Sequence, residues 1–179
     1  MLIYTPQISN RIKYVFQVIF TDVWKISFEL TDDFEKFTDF SGPKINYSLT
    51  KTDDDLFIST SGLLVEKDIV DQDISVTQWE GVPIFFQTSN TSIVPFDIFS
   101  ATFYLISWYE EYLPHFRDHY ERFMAKESLA YQNSFLQFPL VNVWLKVLQQ
   151  IISKKFPDLS FPAQKFKYTS TIDIDNAYC

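Results

Sequence analysis

An apolar triplet stopped by a proline and followed by a long helical stripe constrains this chain more than any other feature of its 179 residues. Leu2, Ile3 and Tyr4 form a short run that Thr5-Pro6 ends, because proline has no N–H to give to a strand ladder. Ser9 or Asn10 then offers a helix cap. Ile12, Val15, Phe16, Ile19, Phe20 and Val23 recur at three- and four-residue steps, which predicts a helix closing near Trp24. A strand that leads into an amphipathic helix opens an α/β domain.

The pattern then changes period. Ile26, Phe28 and Leu30 alternate with polar residues, as a half-buried strand requires, and Asp32-Asp33 can cap a short helix holding Phe34 and Phe37. Ile45, Tyr47 and Leu49 alternate again, the acidic run 53–55 reads as a turn, and Leu56, Ile58 and Thr60 alternate once more, which predicts a hairpin. Residues 63–65, 76–79 and 82–86 add short extended pieces, with Gly81 and Pro83 confining one of them to an edge or bulge. Residues 96–113 are apolar on nearly every side and predict a central buried helix with Asp97 in its first turn. The stretch 114–133 is irregular and polar. Pro139 opens a helix whose stripe is Val143, Trp144, Val147, Leu148, Ile151 and Ile152, with Lys154 and Lys155 at its negative end. The expected fold is a single compact α/β domain, a mixed sheet of short strands packed with long helices. Residues 166–174 alternate as one further strand.

Charge and glycine usage narrow the function. Lys plus Arg number 15 against 23 Asp plus Glu, a balance of −8, so no excess of cations is present to displace counterions from a nucleic acid. Gly42, Gly62 and Gly81 stand far apart, which removes any glycine-rich phosphate cradle. The single Cys179 can neither pair internally nor supply a cysteine-rich zinc site. The N-terminus lacks a basic stretch followed by an apolar run, and no segment approaches the roughly 18 apolar residues of a membrane span. A cytoplasmic protein with neither nucleic-acid nor membrane partners is expected.

Asp173 and Asp175 are the sharpest candidates for chemistry. Residues two apart on a strand share a face, so both carboxylates would meet at a strand end, where one can hold a divalent ion and the other can take a proton from water. The alternative reading of the same pair is a polar loop cap on a strand. His115 and His119 have the spacing of two ligands on one helical face, but no apolar stripe follows them and no Glu lies between, so they read as solvated. Glu110-Glu111, Asp32-Asp33 and the acids at 53–55 read as solvated faces and turns. Cys179, at a terminus, lacks the fixed base that a thiol nucleophile needs. Trp108, Tyr109, Tyr112 and Tyr120 could stack on sugars, but on a buried helix they read as core.

Several segments together resemble a known family: Leu2-Ile3-Tyr4-Thr5-Pro6, Pro43-Lys44-Ile45-Asn46-Tyr47-Ser48, Phe96-Asp97-Ile98-Phe99, Tyr109-Glu110-Glu111-Tyr112-Leu113-Pro114, Ser128-Leu129-Ala130, Pro139-Leu140-Val141-Asn142 and Thr171-Ile172-Asp173-Ile174-Asp175. The set is similar to the N-terminal module of bacterial polysaccharide-deacetylase-like proteins, in which such a module precedes a NodB-homology barrel, and the likeness covers essentially the whole chain. It implies an accessory domain at 1–165 and the first barrel strand at 166–179, where the family reads Thr-Phe-Asp-Asp-Gly. Carried over by position, Asp173 is the catalytic base and Asp175 the ligand of zinc or another divalent metal, with two further histidines in a later motif. Ile174 separates the two acids and Asn176 stands in place of the glycine.

The resemblance therefore implies a chain that is inactive by itself and that packs against a C-terminal deacetylase domain acting on N- or O-acetyl groups of a glycan. Apolar surface left uncovered, for instance on the 139–155 helix, would drive homodimerisation. The rival readings are a carbohydrate-binding module and a small metal-dependent hydrolase using Asp173 and Asp175.

Overall fold

Helix caps and strand ends set the path of the first fifty residues. The structure, a computed structural model, describes residues 1–52, 56–88, 91–163 and 166–172. Strand β1 (Leu2–Tyr4) leads into α1 (Asn10–Phe16), whose cap is Ser9: its hydroxyl accepts the Ile12 N–H at 3.0 Å and donates to the Leu64 carbonyl. The helix then widens into a π-helical stretch, Gln17–Val23, and Trp24 N–H closes it on Ile19 O at 2.9 Å. The stripe read from the sequence is buried, with Ile12, Val15, Phe16, Ile19 and Phe20 all inaccessible to solvent.

Strand β2 (Glu29–Thr31) follows, shorter than the alternation from Ile26 suggests. Helix α2 (Phe34–Asp39) is capped by Asp33, whose carboxylate accepts the Lys36 N–H at 3.1 Å. Strands β3 (Lys44–Ser48) and β4 (Leu56–Ser59) complete a four-stranded sheet in the order β2-β1-β3-β4. All its pairings are parallel: Ile3 lies opposite Leu30 and Ile45, and Tyr47 opposite Ile58. The hairpin expected from 45 to 60 is thus corrected. The segment 49–55 that joins β3 to its parallel neighbour β4 is shorter in sequence than the dozen or so residues such a crossover ordinarily takes.

Both faces of the sheet are covered, which explains why β3 and β4 are buried along nearly their whole length rather than alternately. Ile3, Ile45, Tyr47, Leu56 and Ile58 join the main core with α1. On the opposite face Leu2 and Phe57 are buried, and the Tyr4 ring meets Phe34 and Phe37 of α2 at 5.2 and 5.4 Å.

The second half wraps this sheet. Residues 63–65 form a 3-10 turn rather than an extended piece. Strands β5 (Thr77–Trp79) and β6 (Val82–Ile84) make an antiparallel hairpin across Glu80-Gly81, both with positive φ, so parallel and antiparallel pairing are divided between two sheets. Helix α3 (Ile98–Ile106) is buried at every position from Ile98 to Tyr104 and stops well short of 113. The chain breaks at Trp108, which is left-handed (φ 56°), and continues as a 3-10 turn, Tyr109–Tyr112. A short helix α4 (Leu129–Gln132) precedes α5 (Leu140–Lys155), which buries Trp144, Leu145, Leu148 and Ile152 and ties itself to the hairpin through Trp144 Nε1, donating to Pro83 O at 3.0 Å.

Of the apolar stripe of α5, Trp144, Leu148 and Ile152 are buried, whereas Val143, Val147 and Ile151 are partly exposed. Residues 166–172 have no strand partner among the described residues, and Phe166, Tyr168 and Ile172 are exposed. No described helix is long and apolar enough to cross a membrane.

Candidate functional site: the carboxyl edge of the parallel sheet

From β1 the chain steps outward to β2 and then returns to the other side of β1 to lay down β3. The strand order reverses beside β1, and the loops leaving β1 and β3 part there. Such a switch point is where open parallel sheets gather ligands, because diverging loops leave a crevice above the carboxyl ends of the strands. A crevice of about 430 Å³ lies at this place, within the size range of small-molecule sites. Thr5 and Gln7 line it from the loop after β1, Leu49, Thr50 and Thr52 from the loop after β3, and Phe34 from α2.

The loop after β3 is braced from beneath by two side chains of the strand itself. Asn46, fully buried, donates through Nδ2 to Thr50 O at 3.0 Å and to Thr52 Oγ1 at 3.3 Å. Ser48 Oγ donates to Asn46 Oδ1 at 2.7 Å and accepts the Thr50 N–H at 3.2 Å. Backbone and side-chain dipoles in this loop are thus held in place without a ligand, the condition for precise recognition.

Beside it lies a buried polar cluster centred on Asp97, the cap of α3. Asp97 Oδ1 accepts the Ser100 N–H at 3.0 Å. Its Oδ2 accepts from Ser100 Oγ at 2.6 Å, Ser61 N–H at 2.7 Å, Tyr47 OH at 2.9 Å and Ser61 Oγ at 3.0 Å. Tyr47 OH accepts in turn from Thr60 Oγ1 at 3.0 Å. Burial, and secondly the Asp97 carboxylate, push the Tyr47 phenol well above its ordinary range, so it remains a donor. Asp97 thereby joins β3, the exit of β4 and α3 at one point, with its lone pairs occupied by protein donors.

The described lining of the crevice consists of hydroxyls, an amide, aromatic rings and aliphatic groups, with no acidic, basic or imidazole side chain. Such a surface can hold an uncharged ligand.

A second cleft, about 510 Å³, opens on the other half of the molecule between Tyr104, Glu110, Leu113, His115, Phe123 and Glu127, with Asp71 at its side. Its chemistry is the opposite. Glu110, half-buried, accepts the Leu129 N–H at 2.6 Å, and burial raises its carboxyl above the usual range. The Tyr104 phenol is raised as well, by burial and then by Glu110 and Asp71.

Of the residues singled out in the sequence, Asp173, Asp175 and Cys179 lie outside the described residues, as do the acids at 53–55. His115 and His119 do not share a helical face: Arg117 and Phe123 pair across a bend, His115 Nδ1 lies 2.7 Å from Leu113 O, and His119 packs on Tyr120. Among the described residues no three acidic, histidine or cysteine side chains converge as a metal site. Trp108, Tyr112 and Tyr120, read as core, are exposed, the first two because α3 ends before it reaches them; of the four only Tyr109 is buried, its hydroxyl bonded to the backbone of Val70.

Sequence reasoning passed over Tyr47, Asn46 and Ser48 as ordinary strand residues, and Glu110 as a solvated acid. The apolar neighbours on both sides of Asp97, Val94 and Phe96 before it and Ile98 and Phe99 after, carried a signal of burial. Nothing local marked Tyr47 as its partner.

Fold and crevice together define a parallel α/β domain with a crevice at its switch point, neutral among the described residues. Within that class the chain belongs to DUF7033, a family of unknown function, whose profile matches residues 1–157. No curated protein and no solved structure matches it.

Proposed function

We propose that this chain is a non-catalytic accessory domain of a polysaccharide-deacetylase-like protein. Its catalytic half, C-terminal to this domain, would remove N- or O-acetyl groups from a glycan with zinc or another divalent metal. The observation that carries this reading is the change of character after the family match. Residues 1–157 make up the folded α/β unit, whereas 166–172 carry a strand pattern whose apolar members, Phe166, Tyr168 and Ile172, find no cover within it. A β-patterned segment without a ladder is completed by another sheet, and a following barrel would supply one. In that setting Asp173 would act as base and Asp175 as metal ligand, beside histidines of the catalytic half. The reading includes a cytoplasmic location, for which cell fractionation is the check.

Acetate release from acetylated oligosaccharides with added zinc tests the reading. The expected result is turnover by the polypeptide of the uninterrupted natural reading frame and none by the 179-residue chain. Zinc-dependent turnover by the short chain alone would overturn it.

A further inference from the structure

We propose that the crevice above β1 and β3 is a binding site for one or two uncharged sugar rings. The ring face would rest on Phe34 and Leu49, and the hydroxyls would bond to Gln7 and the Thr50 loop. The inference stands apart from the accessory-domain reading, since it rests only on the crevice.

Three observations carry it. The crevice lies at the switch point of the parallel sheet, and its floor is braced by Asn46 and Ser48, so recognition groups there are already ordered. Large apolar side chains remain open to solvent at its rim although the domain has a full core elsewhere: Phe34 is 42% and Leu49 79% exposed. An aromatic ring beside an aliphatic side chain suits the C–H face of a pyranose, which is apolar while its rim is hydroxylated. Finally, the polar groups of the described lining are neutral and bifunctional. The Thr50 and Gln7 side chains can each donate and accept, the pairing that sugar hydroxyls require, while the Thr5 and Thr60 hydroxyls already donate within the protein. Among the described lining residues a phosphate or carboxylate would find no cation.

The test uses the whole chain and defined probes: N,N′-diacetylchitobiose and cellobiose as neutral sugars, glucose 6-phosphate as the anionic one, and adenosine as a neutral non-sugar ring. The expected result is millimolar binding of at least one neutral disaccharide, with amide shifts by NMR at Gln7 and Thr50. Gln7→Ala, at an exposed position, should weaken it about fivefold, the loss of one hydrogen bond. Phe34→Ala should weaken it about tenfold through lost stacking. Circular dichroism matching the parent excludes loss of the fold as the cause.

Absence of binding by both disaccharides overturns the proposal. So does preferred binding of glucose 6-phosphate or adenosine at these residues, or disaccharide shifts confined to the exposed aromatics at Trp108 and Tyr112. Because acetate release is not read here, failure of the deacetylase reading and failure of this one are separate events.

Discussion

The sheet edge and the strap from Ser107 to Phe138 solve the problem of a crevice in opposite ways. At the edge, Asp97 is sealed among donors from three segments, and the described residues that line the opening are neutral. In the strap, carboxylates face the opening, Glu110 is only half-buried, and aromatic residues such as Trp108, Tyr112 and Phe116 stand in solvent. The difference follows from what surrounds each. A parallel sheet covered on both faces must satisfy polar groups internally, whereas a surface segment with little regular structure can leave them to water.

If that contrast holds, the edge should be much less tolerant of polar deletion than the strap. The largest effect is expected for Asp97→Ala, which removes a helix cap and leaves buried donors of Tyr47, Ser61 and Ser100 unmatched; it should lower stability by about 3 kcal/mol or more in urea titrations. A loss below about 1 kcal/mol would mean that water or neighbouring groups replace the carboxylate easily, and the edge would not be the sealed region described. Tyr47→Phe comes next. It deletes only the hydroxyl between Asp97 and Thr60 and should remove about 1–2 kcal/mol by the same assay.

The strap yields the opposite sign. Trp108 occupies the left-handed region just past the end of α3, a position that glycine takes without a Cβ penalty, and the residue is 67% exposed. Trp108→Gly should therefore leave stability unchanged or raise it by up to about 1 kcal/mol. A marked drop in melting temperature would assign the indole a packing role that its exposure does not suggest.

The same contrast separates what was legible in the sequence from what was not. The Ser9 and Asp33 caps, the buried stripe of α1 and the span of α5 follow from residues three or four apart, and the structure keeps them. The expected α/β class held for the same reason. The parallel pairing of β3 with β4 was hidden, because two short alternating segments around an acidic run carry the same local pattern whichever way the second one points. The break at Trp108 was equally invisible, since neither glycine, asparagine nor proline marks it. Of the candidate sites, the crevice arises from strand order and from a tyrosine and an aspartate fifty residues apart. No spacing rule reaches that far.

The smallest effect, and the most specific to the strap, concerns Glu110. Burial raises its folded-state pKa above that of the unfolded chain, and the Leu129 N–H offsets this only in part. A carboxyl with a raised folded pKa favours folding while protonated. Its contribution is complete below the unfolded value, near the ordinary glutamate range, and is lost as pH rises through the folded one. Glu110→Gln keeps an oxygen that can accept from Leu129 and removes the ionisation, so the variant should match the parent in acid and exceed it in stability above that window. The gain should be smaller than the Tyr47→Phe loss because solvent reaches the cleft. Denaturation at a series of pH values reads it directly. A variant less stable than the parent at neutral pH would mean that the charge of Glu110 is matched by a partner in the cleft, and the strap would then resemble the edge rather than oppose it.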